Sequence, residues 1–305
     1  MASPSDIRST IAVRQNLPEA QRLLKARQWR WIVAGRWQLA QLVTVLSAPI
    51  LVITLGLILP ASKPWISFLA VCTTLLDIAW IDRQYRKSLK LAARASELLD
   101  VHLFELDWNG LAAGKQPTPE ETDRSVRRWD RLKNPNPIKD WYSSEVDRAP
   151  LGLARAICQR TNLSYDSDLR SLYVGIINAG AVSIVLLVLA IGMFSTATFA
   201  DFVLAGWVPS APFLFWALRE RFRQIDAIEA NAPITAEAEK LIAKVIDHGC
   251  DDKECRFQSR LMQNAIFSRR ATTVLLLPGI YRYRRPDAER DMHAGAAYWV
   301  DKAGL

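Results

Sequence analysis

The run Leu172–Phe194 constrains this chain more than any other stretch: 23 residues, mostly apolar, with no charge among them. About 20 apolar residues in a helix cross the hydrocarbon core of a bilayer. Backbone in hydrocarbon must satisfy its own hydrogen bonds, so such a run is a helix. Gly175, Ala179 and Ser183 recur at every fourth position and make a small-residue stripe suited to close helix packing, with polar Asn178 beside it.

The mean hydropathy of the 305 residues is +0.03, an average that conceals an uneven distribution. Four blocks are strongly apolar, 37–59, 64–81, 172–194 and 199–218, and the rest is charged and helix-prone. The first block begins too late and runs too long for a signal peptide, and no small-residue cleavage site follows it, so an uncleaved integral membrane protein is expected. The four cysteines are too few and too scattered for a disulfide framework, and reduced thiols are the default expectation.

Lysine and arginine set the orientation. Residues 1–36 carry seven, 82–170 carry sixteen and 219–305 carry fifteen, whereas the connection 60–63 has only Lys63 and 195–198 has none. By the positive-inside rule both termini and the middle block are cytoplasmic. The expected fold is all-α, an integral membrane protein with four transmembrane helices in two hairpins. Its parts are a juxtamembrane helix (1–36), a first hairpin (37–81), a helical cytosolic domain (82–170), a second hairpin (171–218) and a helical C-terminal region (219–305). The expected location is a membrane, with both termini on its cytoplasmic side. Net charge in the three polar regions is +5, +2 and +2. A surplus next to the membrane at the amino end fits anionic lipid and topology setting better than a DNA or RNA polymer.

Asn16-Leu17-Pro18-Glu19 is a helix start with Asn16 as the cap, leading without a break through Trp29, Trp31 and Trp37 into the first span. A long helix is expected from Arg83 to about Leu106, broken by Asp107-Trp108-Asn109-Gly110. Thr118-Pro119-Glu120-Glu121 has the pattern of a capping box. A helix over roughly 150–170 enters the opening span. Beyond the spans, helices are expected over 219–230, after a cap at Thr235, over about 252–268, and from Pro286. The apolar stretch 271–277 is too short to span and is either core or an interfacial segment.

No phosphate-cradling glycine loop, nucleophile elbow or HExxH is present, so no catalytic residue and no cofactor is assigned. His248, Cys250 and Cys255 lack the spacing of a zinc site, and no metal is expected. Within the spans, Asp77 lines a water path, serves as a buried partner or snorkels to the interface near Arg83. Asp201 sits near the outer end of the fourth span, and Pro209 and Pro212 at its mid-depth suit a gate or a tight corner.

What remains is a polar constellation. It comprises Arg14-Gln15-Asn16, then Glu97, Asp100, Trp108 and Asn109, then Asp140-Trp141-Tyr142, and finally Gln159, Arg160, Asn162, Asp166 and Arg170. Asn162, Asp166 and Arg170 stack at i, i+4 and i+8. One reading is a surface ion pair that orients the stalk below the span. The other is a site in which arginines and amides surround an anionic ligand and Trp or Tyr stacks on a base.

In order and spacing these residues, with Cys158 and Leu169 and a tail of Ile266-Phe267, Arg269, Pro278, Tyr281-Arg282, Arg285 and Glu289, resemble the SMODS-associated four-transmembrane (S-4TM) effector family along essentially the whole chain. The resemblance implies a pore-forming effector of a bacterial cyclic-oligonucleotide antiphage system (CBASS). In such a system a partner nucleotidyltransferase makes a cyclic oligonucleotide on infection, and the four-span protein then breaches the inner membrane. It implies as partners the lipid bilayer, the cyclic oligonucleotide and further copies of the chain, since four helices with few polar residues enclose no wide pore alone. A constitutive channel or transporter and a non-conducting membrane scaffold are the competing readings. Co-expression with the activating nucleotidyltransferase is expected to depolarise cells, and Arg160→Ala or Arg170→Ala to abolish this. Depolarisation at the wild-type level in both variants would count against the site assignment.

Overall fold

From Pro18 the chain is helical without interruption to Ile58, as the cap-to-tryptophan run requires. The computed structural model describes residues 8–58, 63–133, 138–194, 198–199, 207–277 and 279–305. Its helices are α1 (Ile11–Arg14), α2 (Pro18–Ile58), α3 (Lys63–Leu76), α4 (Asp82–Phe104), α5 (Gly110–Ala113), α6 (Pro119–Asp130), α7 (Leu151–Phe194), α8 (Val208–His248), α9 (Asp252–Thr272) and α10 (Ile280–Lys302). A π-helical turn, Asp77–Ile81, joins α3 to α4. Among the described residues there is no strand, only an antiparallel bridge between Arg8 and Pro150.

Local chemistry accounts for several boundaries. Thr118 caps α6 with a complete capping box, its hydroxyl accepting from Glu121 N–H while the Glu121 carboxylate accepts from Thr118 N–H. Asn109 caps α5 through Leu111 N–H and Ala112 N–H. Helix α4 ends at Glu105, which takes a left-handed conformation with φ 53°. Its last carbonyls are met by arginines, His102 by Arg14 at 2.6 Å and Phe104 by Arg155 at 2.5 Å.

Four expectations are corrected. Helix α2 starts at Pro18 with the Leu17 carbonyl accepting from Gln21 N–H, and the Asn16 side chain is spent on Asp140 instead of a cap. Thr235 caps nothing. Helix α8 runs through it and through Pro233, because Ala227, Asn231, Ala238 and Ile242 bury one continuous face across that point. Helix α10 opens at Ile280 and not at Pro286, since Leu276, Leu277 and Ile280 pack on Tyr173, Ile177 and Ala217 and fix the turn ahead of the proline. Finally, Cys250 and Cys255 form a disulfide, with Cα atoms 6.0 Å apart, while Cys72 and Cys158 are free. Gly249, at φ +67°, turns the chain so that Cys250 faces the first turn of α9.

The main core draws on all three polar regions. Ile11, Leu23 and Leu24 come from the amino-terminal region, Leu99, Phe104, Tyr142 and Ile157 from the middle, and Ile242, Met262 and Val300 from the tail. Beyond that core, α7 continues as the partner of α8, burying Tyr173, Ile177 and Val188. One helix among the described residues, over Leu151–Ala190, is long and apolar enough to cross a membrane, and only 17% of its most apolar window is buried.

The capping box gives a direct test. Thr118→Ala should lower stability by about 1 kcal/mol while Thr118→Ser retains most of it, read from thermal unfolding of the detergent-purified protein.

Candidate functional site

Helix α4 turns Glu97 and Asp100 inward, where they are 0% and 2% exposed. A buried carboxylate must be paired, and α9 supplies the donors. Arg260 reaches Glu97 at 2.5 Å, Arg270 reaches Asp100 at 2.5 Å, and the Gln263 amide donates to Glu97 at 2.9 Å and Asp100 at 3.0 Å. The Tyr142 hydroxyl donates to Asp100 at 3.1 Å and accepts from Asn162 at 2.9 Å. Gln159 donates to Gln263 at 3.1 Å and to the Ser259 carbonyl at 2.8 Å. Buried Gln15 holds Tyr142 in place by donating to its carbonyl and accepting from its N–H. Burial, with Asp100 beside it, holds the Tyr142 hydroxyl well above the usual range, so it stays a donor. Burial likewise pushes up the Cys158 thiol.

Two turns further along α7 a second cluster forms where the stalk meets the apolar part of the helix. Arg170, 5% exposed, chelates Asp166 at 2.7 and 3.1 Å and donates to the Val274 carbonyl at 3.0 Å and to Gln224. Asn231 donates to Asp166 at 3.0 Å, and Arg269 donates to the Ala227 carbonyl at 2.6 Å. The stretch 273–277, expected as core or interfacial, is an irregular strap. Its Leu275 N–H donates to the Tyr85 hydroxyl, and its Leu275 carbonyl accepts from Gln38 at 2.7 Å and Gln224 at 3.4 Å. The strap thus ties together α2, α4, α7 and α8.

Of the residues expected to hold a ligand, Tyr142, Gln159 and Asn162 share the first cluster and Asp166 and Arg170 the second. The i, i+4 pair is present, but its arginine is buried and not on the surface. The others lie apart. Asn16 and Asp140 pair with each other, and Arg14 pairs with Glu105. Trp141 stacks under Arg27 at 4.0 Å, and Trp108 donates to the Gly114 carbonyl. Asn109 donates to Asn264. Arg160 donates to Glu239 at 2.7 Å and lies 5.6 Å from the Trp299 ring.

Among the residues expected in the spans, Asp77 opens the π turn and accepts from Gln41 at 3.4 Å. Gly175, Ala179 and Ser183 are exposed on the side of α7 away from its buried face, and Asn178 is half-buried. Asp201 lies outside the described residues. Pro209 falls in the first turn of α8 and Pro212 one turn on, their side chains outside the described set.

Sequence reasoning missed Arg260, Gln263 and Arg270 as partners of the buried acids, and Gln224 and Asn231 at the second cluster. The first three lie at i, i+3 and i+10, one face of a helix, so polar side chains at that spacing were the available signal.

The chain matches the family described as "SMODS-associating 4TM effector domain" over residues 9–298. It is similar to a protein of Bacillus cereus (strain VD146) named "Probable CBASS effector molecule", with 23% identity over 274 residues that cover 87% of this chain and 89% of that protein. No solved structure matches.

Burial pushes the Glu97 carboxyl above the usual glutamate range, against the pull of Arg260 and Gln263. A carboxyl whose pKa is raised by folding adds stability below its unfolded pKa, and that contribution fades as pH rises through the folded value. Melting temperatures between about pH 4 and 8 should therefore fall with rising pH more steeply in the wild type than in Glu97→Gln. Equal slopes would show that Glu97 is not the group responsible.

Proposed function

The chain belongs to the SMODS-associating 4TM effector family, and from that premise we propose that it is a membrane effector of a bacterial antiphage system that oligomerises and permeabilises the inner membrane on a cyclic-oligonucleotide signal. The observation that carries this reading is the set of large apolar side chains left exposed on the helices of the apolar blocks, of the kind that mark an interaction or membrane surface. On α3, Trp65 and Phe68 are 75% and 64% exposed; on α7, Leu186 and Leu187 are 60% and 59%; on α8, Phe215 is 69%. In a bilayer, segments 37–59, 64–81, 172–194 and 199–218 place this surface in lipid. Because all three polar regions feed one core, the reading puts them on one side of the membrane, with both termini cytoplasmic.

Assembly uses the outward stripe. A Cβ built at Gly175 meets nothing within 4 Å, so the stripe is open to the same stripe of a second copy. Signal transfer uses α7, whose 44 residues make one rod about 66 Å long. Its cytosolic half is locked by the first cluster, and its membrane entry is locked by Arg170. In this reading Tyr142, Gln159, Asn162, Asp166 and Arg170 act as the coupling network, because their polar groups already engage one another. A ligand biases that network only through different affinities for its two states.

Gly175→Leu should remove crosslinked oligomers and depolarisation together when the nucleotidyltransferase is co-expressed, with expression level unchanged. Unchanged crosslinking would move the contact to another helix.

A further inference from the structure

A cavity of about 760 Å³ lies between α4 and α8, walled on one side by the strap. Ligand pockets run from about 300 to 1,000 Å³, so its size suits a small organic molecule. Four buried polar atoms on its lining find no hydrogen-bond partner among the described residues: Gln38 Oε1, Asp77 Oδ1, the Tyr173 hydroxyl and the Thr273 hydroxyl. Buried groups of this kind seek a partner, and the two hydroxyls are able to donate.

The lining carries five basic side chains and four acidic ones. Asp82 is held by Arg86 at 2.8 Å, and Glu220 is buried, accepts from Gln224 and is pushed upward by that burial. Lys90, Arg219 and Arg223 line the same cavity from two helices and make no ion pair among the described residues. Arg269 lines it too, and Asp77, Glu220 and Asp226 are the acids on the lining that make no ion pair among the described residues. Phe215 and Trp216 supply an aromatic wall one turn before Arg219 and two turns before Arg223.

We propose that this cavity binds a phosphodiester, with Lys90, Arg219 and Arg223 facing the phosphate and the Thr273 and Tyr173 hydroxyls donating to its oxygens. The phosphodiester has two sources, a phospholipid headgroup entering from the bilayer or a soluble cyclic nucleotide. The second deepens the function proposed above and rests on it; the first rests only on the membrane placement. Either occupant would press on the strap, which forms one wall of the cavity and carries the Arg170 and Tyr85 contacts.

The test uses the full chain in phosphatidylcholine nanodiscs. One arm adds phosphatidylglycerol to the discs and the other adds cyclic di-AMP to the buffer, with thermal shift and binding as readouts. One probe should stabilise the wild type, and Arg219→Gln/Arg223→Gln should weaken that binding about tenfold or more. Thr273→Val, nearly isosteric, should weaken it severalfold while its melting temperature in the absence of probe is unchanged or higher, and the distant Lys240→Gln should bind as wild type. A response to phosphatidylglycerol alone assigns a lipid, and a response to cyclic di-AMP assigns a soluble nucleotide. If neither probe stabilises the wild type, or the double variant and Thr273→Val both bind as tightly as the wild type, the proposal is overturned. Failure of the functional reading is distinct, because it appears as an absence of depolarisation by wild type in cells whatever the binding result.

Discussion

Two carboxylates buried in the main core, Glu97 and Asp100, dictate the path of the last part of the chain. Leaving one of them unpaired there would cost about 3–5 kcal/mol, an appreciable share of a domain's whole stability. All but one of their partners sit on α9, so that helix must cross α4 with Arg260, Gln263 and Arg270 facing inward. Once α9 is fixed, its exit at Thr272 delivers the strap to the base of the apolar helices. There Arg170 meets the Val274 carbonyl and Tyr85 meets Leu275 N–H. The second cluster is therefore a consequence of the first.

In the proposed function, this dependence is how an event in the main core reaches the membrane. The stalk and the apolar half of α7 are one helix, and the polar contacts along it bridge to α4, α8, α9 and the strap. Each bridge is a discrete hydrogen-bonded pairing and not a graded apolar contact, which suits switching between alternatives. The face that α7 buries in the monomer, Tyr173, Ile177 and Val188, differs from the small-residue stripe, so intramolecular packing and assembly need not compete for one surface.

Where the deciding interactions are local, the sequence was sufficient. Thr118-Pro119-Glu120-Glu121 announced its capping box, Asn109-Gly110 its break, and the uncharged run its helix, continuous with the stalk before it. Expectations failed where long-range packing overrides a local signal. Thr235 looked like a cap until the buried face over Ala227–Ile242 carried the helix through it and through Pro233. Pro286 looked like a start until Ile280 docked on Tyr173. In the site, Asp166 and Arg170 were legible because i, i+4 neighbours meet on any helix. Their partners Gln224 and Asn231, and the α9 donors to Glu97 and Asp100, lie more than 50 positions away and leave no local trace. The strap was visible only as an apolar stretch too short to span, since its role lies in backbone groups that no side-chain pattern reports.

The central claim, that a cyclic oligonucleotide converts this protein from a sealed to a leaky membrane assembly, is tested most directly by dye release from proteoliposomes of the purified chain. The nucleotide would be the product made by its cognate nucleotidyltransferase. The account predicts no release in buffer, release on adding that product, and none from Arg170→Ala under the same conditions. Release without nucleotide would contradict it in favour of a constitutive channel, and no release with the cognate product would contradict permeabilisation itself.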